Sequence, residues 1–453
     1  MNVNILDYGA IADGKTLCTE QIQAAIDACF ATGGGRVSVP CGTYYSGTIW
    51  LKSNVELHME HGSVIKASED LEDYNALDAY PQNFSVKEME NWVGKHLVVA
   101  HECENVAITG TGTFNGNGAV FMGELHHLSA YVWNEGYRES KDMEKCRPGQ
   151  MICFIECRRV TVQDVTLTNQ PCWGCFLHGC EYVNIRGVKI FNDHTFYCTD
   201  GIDIDCCKYV TVSDCIIDTG DDAITLRGAG TKLKEKKGIC EYITITNCVL
   251  SAKSSAFRIG VGYDLIRHAR ISNICVTQAG KAIQIMSSYH GNGNVSIDDI
   301  SFSNLSIANC ARPFEITEES INNATISNIT VENVNAEMYG FFHLNSVNKN
   351  SVENITLRNW NVKMVDGPKP FMPKCFELRG TVWFRASNMK RLNIENFHIT
   401  DENGFINTWE DGAFEMKECD EVNIKQLSLN GQEIKVIHRT FGEEESKRIN
   451  SRL

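Results

Sequence analysis

The chain has 453 residues and a formal net charge of −15 at pH 7. Nucleic acids and anionic membranes are bound by basic surfaces, so this charge argues against both as partners. Hydrophobic residues make up 43% of the chain, an ordinary share for a globular protein, and no apolar run approaches the roughly 18 residues that span a bilayer. Residues 1–7 contain neither the basic nor the apolar part of a secretory signal, so we expect a cytoplasmic protein.

The first predicted element is a helix from Thr19 to Phe30, where apolar residues recur at helical spacing. Thr19 is placed to cap its start, and the three glycines at positions 33–35 end it. The repeats that follow predict a solenoid, whose open apolar end needs a cover. We therefore expect this helix to close the first coil, within an N-terminal cap of about residues 1–50.

Most of the remaining chain repeats one short pattern of eight residues. Apolar residues stand at its first, third, sixth and eighth positions, and Asn, Asp or Gly stands at its fifth position. Four clear copies are Val160–Leu167, Val183–Ile190, Val210–Ile217 and Ile243–Leu250, and later copies start near Ala269, Ile300, Ala324, Ile355, Leu392 and Val422. The alternation predicts strands with one buried face, and the central Asn or Asp predicts a tight corner. Stacked coils of this kind form an all-β fold, a right-handed single-stranded parallel β-helix.

The twenty cysteines follow the same repeat. Six of them stand three residues before the first apolar position of a copy: Cys103, Cys157, Cys180, Cys207, Cys240 and Cys419. Equivalent positions of a solenoid form a column, so we interpret these thiols as small apolar spacers in the interior, and neither disulfides nor zinc ligands are expected. We expect one domain over residues 1–453, with an insertion at about 117–150 and a polar C-terminal tail at about 440–453.

Two acidic strings occupy successive coils, Thr199–Asp205 and Gly220–Leu226. Aligning their apolar positions places Asp200 level with Asp222, about 4.8 Å away across the stack, with Asp221 beside them. Carboxylates this close repel one another, so at least one pKa rises and supplies a proton donor next to a base. Hydrolysis of a glycosidic bond requires that pair. Corner residues or a calcium site are the alternatives, and we favour catalysis for all three.

Other residues of these columns are candidates for substrate binding. Ser255, Lys281 and Arg312 share the column of Asp200, and Arg258 and Gln284 share that of Asp203, an outward residue expected to shape the cleft. The basic members either hold a carboxylate or hydroxyls of a sugar or pair with the aspartates, and the sequence leaves both readings open.

Two residues outside these columns complete the candidate set. Trp173, one coil before Asp200, either stacks on a sugar ring or packs in the interior. His194 lies on the loop that leads into Asp200 and is a candidate substrate contact. No cofactor and no metal ion are predicted.

The most specific motifs are Thr199–Asp203 (TDGID) and Gly220–Ile224 (GDDAI). With Asp7–Ala10 (DYGA) and Gly110–Gly116 (GTGTFNG), they make nearly the whole chain similar to family 28 of the glycoside hydrolases, the polygalacturonase group. The resemblance implies a parallel β-helix in which Asp221 is the general acid and Asp200 and Asp222 together activate water. It also implies inversion of the anomeric centre.

The sequence departs from the family pattern at three places. Cys198 replaces an Asn, Ser255 stands where the family has the His of a Gly-His-Gly motif, and Gln284–Met286 (QIM) replaces an Arg-Ile-Lys triplet that grips the galacturonate carboxylate. These changes argue against ordinary polygalacturonase specificity, because charge-assisted bonds to a uronate are lost there.

The function predicted is hydrolysis of plant-derived oligosaccharides, with pectic ones as the first candidates. Two alternatives are a polysaccharide lyase or fructan transferase on the same scaffold, and a non-catalytic carbohydrate-binding β-helix. An oligosaccharide is the expected partner, and the sequence makes no prediction about the oligomeric state.

Overall fold

The structure is a computed structural model that describes residues 1–75, 92–122, 147–230, 233–234, 238–289, 293–320, 324–367, 383–404, 414–434 and 436–439. Its helices are α1 (Thr19–Ala31) and the single turn α2 (Ala119–Met122), and 3₁₀ turns cover Ile5–Tyr8 and Leu71–Asp73. No helix among the described residues has the length and hydropathy needed to cross a membrane.

The strands before the acidic strings are short. They are β1 (Asn2–Asn4), β2 (Asp13–Leu17), β3 (Gly35–Val39), β4 (Gly42–Ser46), β5 (Ile49–Trp50), β6 (Val55–Met59), β7 (Ser63–Ala67), β8 (Trp92–Val93), β9 (Val98–His101), β10 (Glu104–Gly110), β11 (Thr113–Asn115), β12 (Arg147–Pro148), β13 (Ile152–Ile155), β14 (Arg158–Gln163), β15 (Thr166–Thr168), β16 (Cys175–His178), β17 (Glu181–Arg186) and β18 (Lys189–Phe191).

The strands from the acidic strings onward include several that run through corners without a break. They are β19 (Ile202–Asp205), β20 (Lys208–Ser213), β21 (Ile216–Thr219), β22 (Ile224–Gly228), β23 (Ile239–Gly262), β24 (Leu265–Met286), β25 (Ser296–Glu318), β26 (Ile326–Met338), β27 (Phe342–Ser346), β28 (Val352–Met364), β29 (Phe384–Ser387), β30 (Arg391–Thr400), β31 (Phe414–Lys417), β32 (Glu421–Leu429), β33 (Gln432–Glu433) and β34 (Ile437–Arg439).

The described strands pair in parallel from coil to coil, except for the antiparallel pair β32 and β33. The register joins the repeat positions in one column: Val160, Val183, Val210, Ile243, Ala269, Ile300, Ile329, Ile355, Leu392 and Val422. This confirms the predicted parallel β-helix, while its right hand stays a prediction. The copy predicted to start near Ala324 is wrong, because Ile329 lies opposite Ile300.

The interior of the coils is a continuous apolar core. Members of one inward column, such as Ile185, Val212, Ile245 and Ile271, are each at most 1% exposed. Five of the six cysteines predicted as interior spacers are buried, and Cys419 is partly exposed. Neighbouring cysteines contact each other along the column, since the Cys103 backbone N–H donates to Cys157 Sγ at 3.4 Å. None of the cysteines among the described residues is in a disulfide.

Helix α1 forms where the sequence predicts it and buries Ile22, Ala25, Ile26 and Cys29. It packs against β1, β3, β5 and β6, and its role as a cover for the open end stays a prediction. The predicted cap is wrong: Thr19 is the first helical residue, and its hydroxyl accepts from the Gly47 N–H at 2.7 Å. Most of the predicted insertion, from residue 123 to 146, and the predicted tail, residues 440–453, lie outside the described residues.

Asparagines occupy the predicted corners, in a left-handed backbone conformation that most residues avoid. The φ angles of Asn273, Asn304, Asn333 and Asn359 are 55°, 59°, 58° and 55°. Each side-chain Nδ2 donates to the side-chain Oδ1 of the asparagine one coil earlier. The distance is 3.3 Å from Asn333 to Asn304 and 2.8 Å from Asn359 to Asn333. This column of asparagines is a side-chain ladder, in which each residue adopts a left-handed angle that asparagine tolerates and hydrogen-bonds to the next coil.

We predict that Asn333→Ala destabilises the protein by more than Asn333→Gly, by about 1 kcal/mol, because glycine adopts the left-handed angle freely. Denaturant unfolding of both variants measures the difference. Equal losses would mean that the side-chain ladder, and not the backbone angle, is what Asn333 contributes.

Candidate active site

The three predicted catalytic aspartates meet just before two stacked strands. Asp200 precedes β19, Asp221 and Asp222 precede β22, and the Gly201 N–H donates to the Asp222 carbonyl at 2.9 Å, as the predicted register requires. One carboxylate oxygen from each of the three residues lies within 4.8 Å of the other two. Asp200 is 1% exposed, Asp221 8% and Asp222 0%. The structure therefore forms a buried cluster of three acids.

Backbone amides hold two of these carboxylates in place. The Cys198 N–H donates to Asp221 Oδ2 at 2.9 Å, and the Ser255 N–H donates to Asp222 Oδ1 at 2.9 Å. Cys198 has a φ of 52°, a left-handed angle in the turn before Asp200. Cys198 and Ser255 are two of the departures from the family pattern, and each contacts a carboxylate of the cluster through its backbone N–H.

Arg258 supplies the cation of the cluster. Its Nε lies 2.7 Å from Asp222 Oδ2, and its Nη2 lies 3.4 Å from Asp200 Oδ2. The side chain of Arg258 is only 13% exposed, so these ion pairs are weakly screened by water. Of the two readings that the sequence left open for Arg258, the structure shows pairing with the aspartates.

Burial and like charges shift the pKa values in the cluster. Burial, together with the charge of Asp222, raises the pKa of Asp221 from 3.8 to about 7. Burial and the neighbouring aspartates also raise the pKa of Asp200 well above its ordinary value. The cluster therefore retains a proton near neutral pH, which agrees with the pKa rise predicted from the sequence.

Asp203, predicted to contact substrate, has no exposed surface in this structure. The Thr225 hydroxyl donates to its Oδ1 at 2.6 Å, and Arg227 Nη1 lies 3.9 Å from the same oxygen. Burial raises the pKa of Asp203 to about 6 although Arg227 and Thr225 oppose the shift. The carboxylate of Asp203 is therefore engaged within the protein, and its predicted contact with substrate stays a prediction.

Trp173 belongs to a buried network beside Asp203. Its ring is 1% exposed, and the Arg227 guanidinium lies 4.4 Å from the ring centre. A sugar could not stack on a ring so covered, so the structure shows the packing alternative. Arg227 Nε also lies 3.9 Å from Asp205 Oδ2, and His178 Nδ1 lies 3.1 Å from that oxygen.

This network was missed in the sequence, although a signal for it was present. Asp205 lies opposite Arg227 in the register of β19 and β22, two residues beyond the aligned Asp203 and Thr225. Burial opposes ionisation of Asp205, but His178 and Arg227 lower its pKa to about 2. Continuing the alignment of β19 with β22 two residues beyond Asp203 and Thr225 would have predicted the pairing of Asp205 with Arg227.

The other predicted binding residues form a second buried group, one to three coils beyond Asp222. Ser255, Lys281 and Arg312 are in one column, and Gln284 and Glu315 in the next, as predicted. The Ser255 hydroxyl donates to Gln284 Oε1 at 3.0 Å, and Gln284 Nε2 donates to Glu315 Oε1 at 2.9 Å. Ser255 is 0% and Gln284 6% exposed, and both side chains are hydrogen-bonded within the protein, so their contact with substrate stays a prediction.

Lys281 and Arg312 pair with Glu315 and not with the aspartates. Lys281 Nζ lies 3.8 Å from Glu315 Oε1, and Arg312 Nη1 forms an ion pair with Oε2. Burial would raise the pKa of Glu315, but the two cations lower it to about 2. His194 also has an acidic partner, since its Nε2 lies 2.5 Å from Asp218 Oδ1. It makes that contact on the loop before Asp200, outside the aspartate cluster.

The three clustered carboxylates are close enough together to ligate a cation. Arg258 already lies within ion-pair distance of two of them, so the charge that a metal ion would supply is partly provided by the protein. The arrangement suits acid–base chemistry, with a protonated carboxyl beside carboxylates paired to a cation.

The chain is a parallel β-helix with a buried cluster of aspartates, and comparison with known proteins identifies its family. Residues 29–379 match the model described as "Glycosyl hydrolases family 28". This match covers more than half of the chain, so the chain belongs to family 28 of the glycosyl hydrolases.

Individual relatives agree with this assignment. The chain is 29% identical over 254 residues to an exo-poly-alpha-D-galacturonosidase of Dickeya chrysanthemi, covering 49% of this chain and 41% of that protein. The chain thus aligns with less than half the length of this curated relative.

Solved structures share the fold. An exopolygalacturonase of Thermotoga maritima superposes with a TM-score of 0.60 at 24% identity, covering 87% of this chain and 92% of that one. A family 28 exopolygalacturonase of Yersinia enterocolitica gives a TM-score of 0.66 at 19% identity, covering 97% and 78%.

The raised pKa of Asp221 predicts how stability depends on pH. The folded pKa of about 7 exceeds the ordinary 3.8, so the folded protein binds more protons between these values and loses stability as pH rises through them. Asp221→Asn does not titrate. We therefore expect its unfolding free energy, relative to wild type, to increase by a few kcal/mol from pH 4 to pH 8.

Denaturant unfolding at both pH values tests this expectation. Asp214→Asn is the matched control, because Asp214 is an exposed corner residue with a φ of 59°, at a position that asparagine occupies in later coils. A stability difference between Asp221→Asn and wild type that stays constant with pH would contradict the raised pKa.

Proposed function

We propose that the protein hydrolyses glycosidic bonds in pectic oligosaccharides, with Asp221 as the general acid and Asp200 and Asp222 as the base. The observation that carries this proposal is the cluster itself, in which three buried carboxylates lie within 4.8 Å of one another and one cation pairs with two of them. A shared proton and a paired anion side by side are what protonation of a leaving oxygen and activation of water require.

Asp221 is the best candidate for the acid because it is the carboxyl without a close arginine contact. Its pKa of about 7 leaves it partly protonated at neutral pH. Its Oδ2 accepts the Cys198 N–H, so the proton is carried by the other oxygen, Oδ1. The hydrogen bond from Cys198 therefore orients the Asp221 carboxyl group before a substrate binds.

Asp200 and Asp222 are the candidates for the base. Arg258 lies within 3.4 Å of both, and its charge opposes the rise in the pKa of Asp200 that burial and the neighbouring aspartates cause. A water molecule held between the two carboxylates would lose its proton to one of them as it attacks the sugar.

Pectic substrates are proposed from the relatives. The proteins reported above carry the names exo-poly-alpha-D-galacturonosidase and exopolygalacturonase, and the chain shares their family. Ser255 and Gln284 depart from the family pattern, so we propose a pectic oligosaccharide other than plain polygalacturonate. A cytoplasmic location stays a prediction.

The pairing of Arg258 weighs against the lyase alternative. A lyase needs a free base to remove a proton beside a carboxylate, and the sequence offers Lys281 or Arg258 for that role. The Arg258 guanidinium instead lies 2.7 Å from Asp222 Oδ2, and this ion pair stabilises its protonated form.

We predict that Asp221→Asn lowers kcat by roughly 10²- to 10⁴-fold, the usual contribution of a general acid. Release of reducing ends from a panel of pectic, fructan and neutral plant oligosaccharides measures it, with Asp214→Asn as the variant that should keep wild-type activity. An unchanged rate in Asp221→Asn would remove Asp221 from the mechanism, and an unsaturated product absorbing in the ultraviolet would favour the lyase.

We further predict inversion of the anomeric centre. The acids lie closer together than the roughly 6.5–9.5 Å usual for inverting enzymes. This prediction therefore rests on the similarity to family 28 and not on the spacing of the acids. Proton NMR of the first product formed distinguishes the outcomes, and a product with the configuration of the substrate would refute the prediction.

A further inference from the structure

A single peptide group connects a buried arginine to the proposed acid. The Cys198 N–H donates to Asp221 Oδ2 at 2.9 Å, and the carbonyl of the same peptide group is that of Tyr197. Arg147 Nη1 donates to this Tyr197 carbonyl at 3.0 Å. A trans peptide group is planar, with its C=O and N–H pointing in opposite directions, so a donor that fixes the oxygen also fixes the N–H. Arg147 and Asp221 are therefore bound to opposite ends of one rigid unit.

Arg147 is itself held firmly in place. It is 2% exposed, and its Nη1 also donates to the Pro171 carbonyl in the preceding coil. The guanidinium centre lies 4.4 Å from the centre of the Tyr197 ring. A planar guanidinium with directed N–H donors suits such a position, which a single flexible ammonium would not fill. Arg147 therefore joins the turns that precede two successive strands, β16 and β19.

The backbone at Cys198 shows that the orientation of this peptide group is imposed by its surroundings. The φ angle of Cys198 sets the direction of the group relative to the chain that follows, and it is 52°. This left-handed angle is unfavourable for a residue such as cysteine, and it persists where surrounding contacts maintain it. The hydrogen bonds to Arg147 and Asp221 are two such contacts, one at each end of the peptide group.

The Cys198 hydrogen bond acts on Asp221 in addition to several charges. The charged groups that face Asp221 come from its own coil and from the two neighbouring coils: Asp222, Asp200, Arg258 and Lys253. A charge shifts the pKa of Asp221 from any direction, whereas the hydrogen bond also determines which oxygen is left to carry the proton. Because the N–H favours the ionised carboxylate, it opposes the rise in pKa that burial and Asp222 cause.

We infer that Arg147 is a positioning residue for the reaction, which orients the Tyr197–Cys198 peptide group and, through it, the carboxyl group of Asp221. The inference rests on the proposed function, because it requires Asp221 to be the acid. It gives a role in catalysis to a buried arginine that lies one peptide group away from the cluster. Polarisation of the peptide by the guanidinium would also strengthen the Cys198 N–H as a donor.

The test measures the titration of Asp221 through stability, so that it does not depend on the substrate. Denaturant unfolding compares Asp221 with Asp221→Asn protein across pH, once with Arg147 and once with Arg147→Met. With Arg147, the stability difference should stop changing just above the Asp221 pKa of about 7. Without Arg147 the peptide group is free to turn, the N–H contact is lost and the pKa rises. We therefore expect this point to move up by roughly one pH unit.

Two further variants separate orientation from charge and from general destabilisation. Arg147→Lys keeps a buried charge but cannot bridge both carbonyls, so we expect a smaller shift in the same direction, and it decides alone if Arg147→Met does not fold. The matched control is Arg270→Met, because Arg270 Nη1 also donates to two backbone carbonyls, those of Ala269 and Asp299, at 3.0 Å and 2.9 Å. Its side chain is 52% exposed, and the titration of Asp221 should not change.

Kinetics on the oligosaccharide that wild type cleaves supply a second measurement. In Arg147→Met we expect kcat to fall roughly 10- to 100-fold with KM nearly unchanged, because the acid is misdirected. The alkaline limb of the kcat profile should move up by the same pH unit, since a higher pKa keeps the acid protonated to higher pH.

The outcomes that contradict the inference are distinct. An equal loss of stability at every pH would give Arg147 a structural role only, and a shift in Arg147→Met that is absent in Arg147→Lys would show a through-space charge effect. Either result overturns the inference. Full activity in Asp221→Asn would refute the proposed function, whereas an inactive Asp221→Asn together with an unmoved titration in Arg147→Met would refute this inference alone.

Discussion

The coil-to-coil register is the constraint on which the rest of the structure depends. Each residue pairs with its equivalent in the next coil, so a side chain type that recurs in the sequence becomes a column in space. Apolar columns fill the interior, cysteines touch cysteines, and corner asparagines bond to asparagines. A slip of one residue would reverse all of these faces at once, so a well-filled interior also fixes what the outer face presents.

The aspartate cluster follows from the same constraint and is costly to form. Stacking places Asp200 beside Asp222 with little water, and burial of like charges opposes folding. Arg258 offsets part of that cost, and the raised pKa of Asp221 offsets more, since a protonated acid carries no charge. The features that make the cluster tolerable in the folded protein are therefore also the ones on which the proposed acid–base chemistry depends.

The basic residues have distinct roles because each has a different acidic neighbour. Arg258 is committed to the aspartates, Arg227 to Asp203 and Asp205, and the Lys281 and Arg312 pair to Glu315.

The sequence by itself determined the columns. Period-2 alternation, corner asparagines and the two acidic strings were sufficient to align Asp200 with Asp222 and Ser255 with Lys281 and Arg312, because stacking depends on local pattern alone. It misplaced the copy near Ala324, where the interval between corners varies. Only the tertiary structure decided which way long side chains turn and what covers them: Trp173 and Asp203 are buried, and Lys281 pairs with Glu315. The register fixes the Cα positions, but a long lysine or arginine side chain can reach several neighbours from one position. Which acidic residue it pairs with depends on the burial and charge of side chains in several coils.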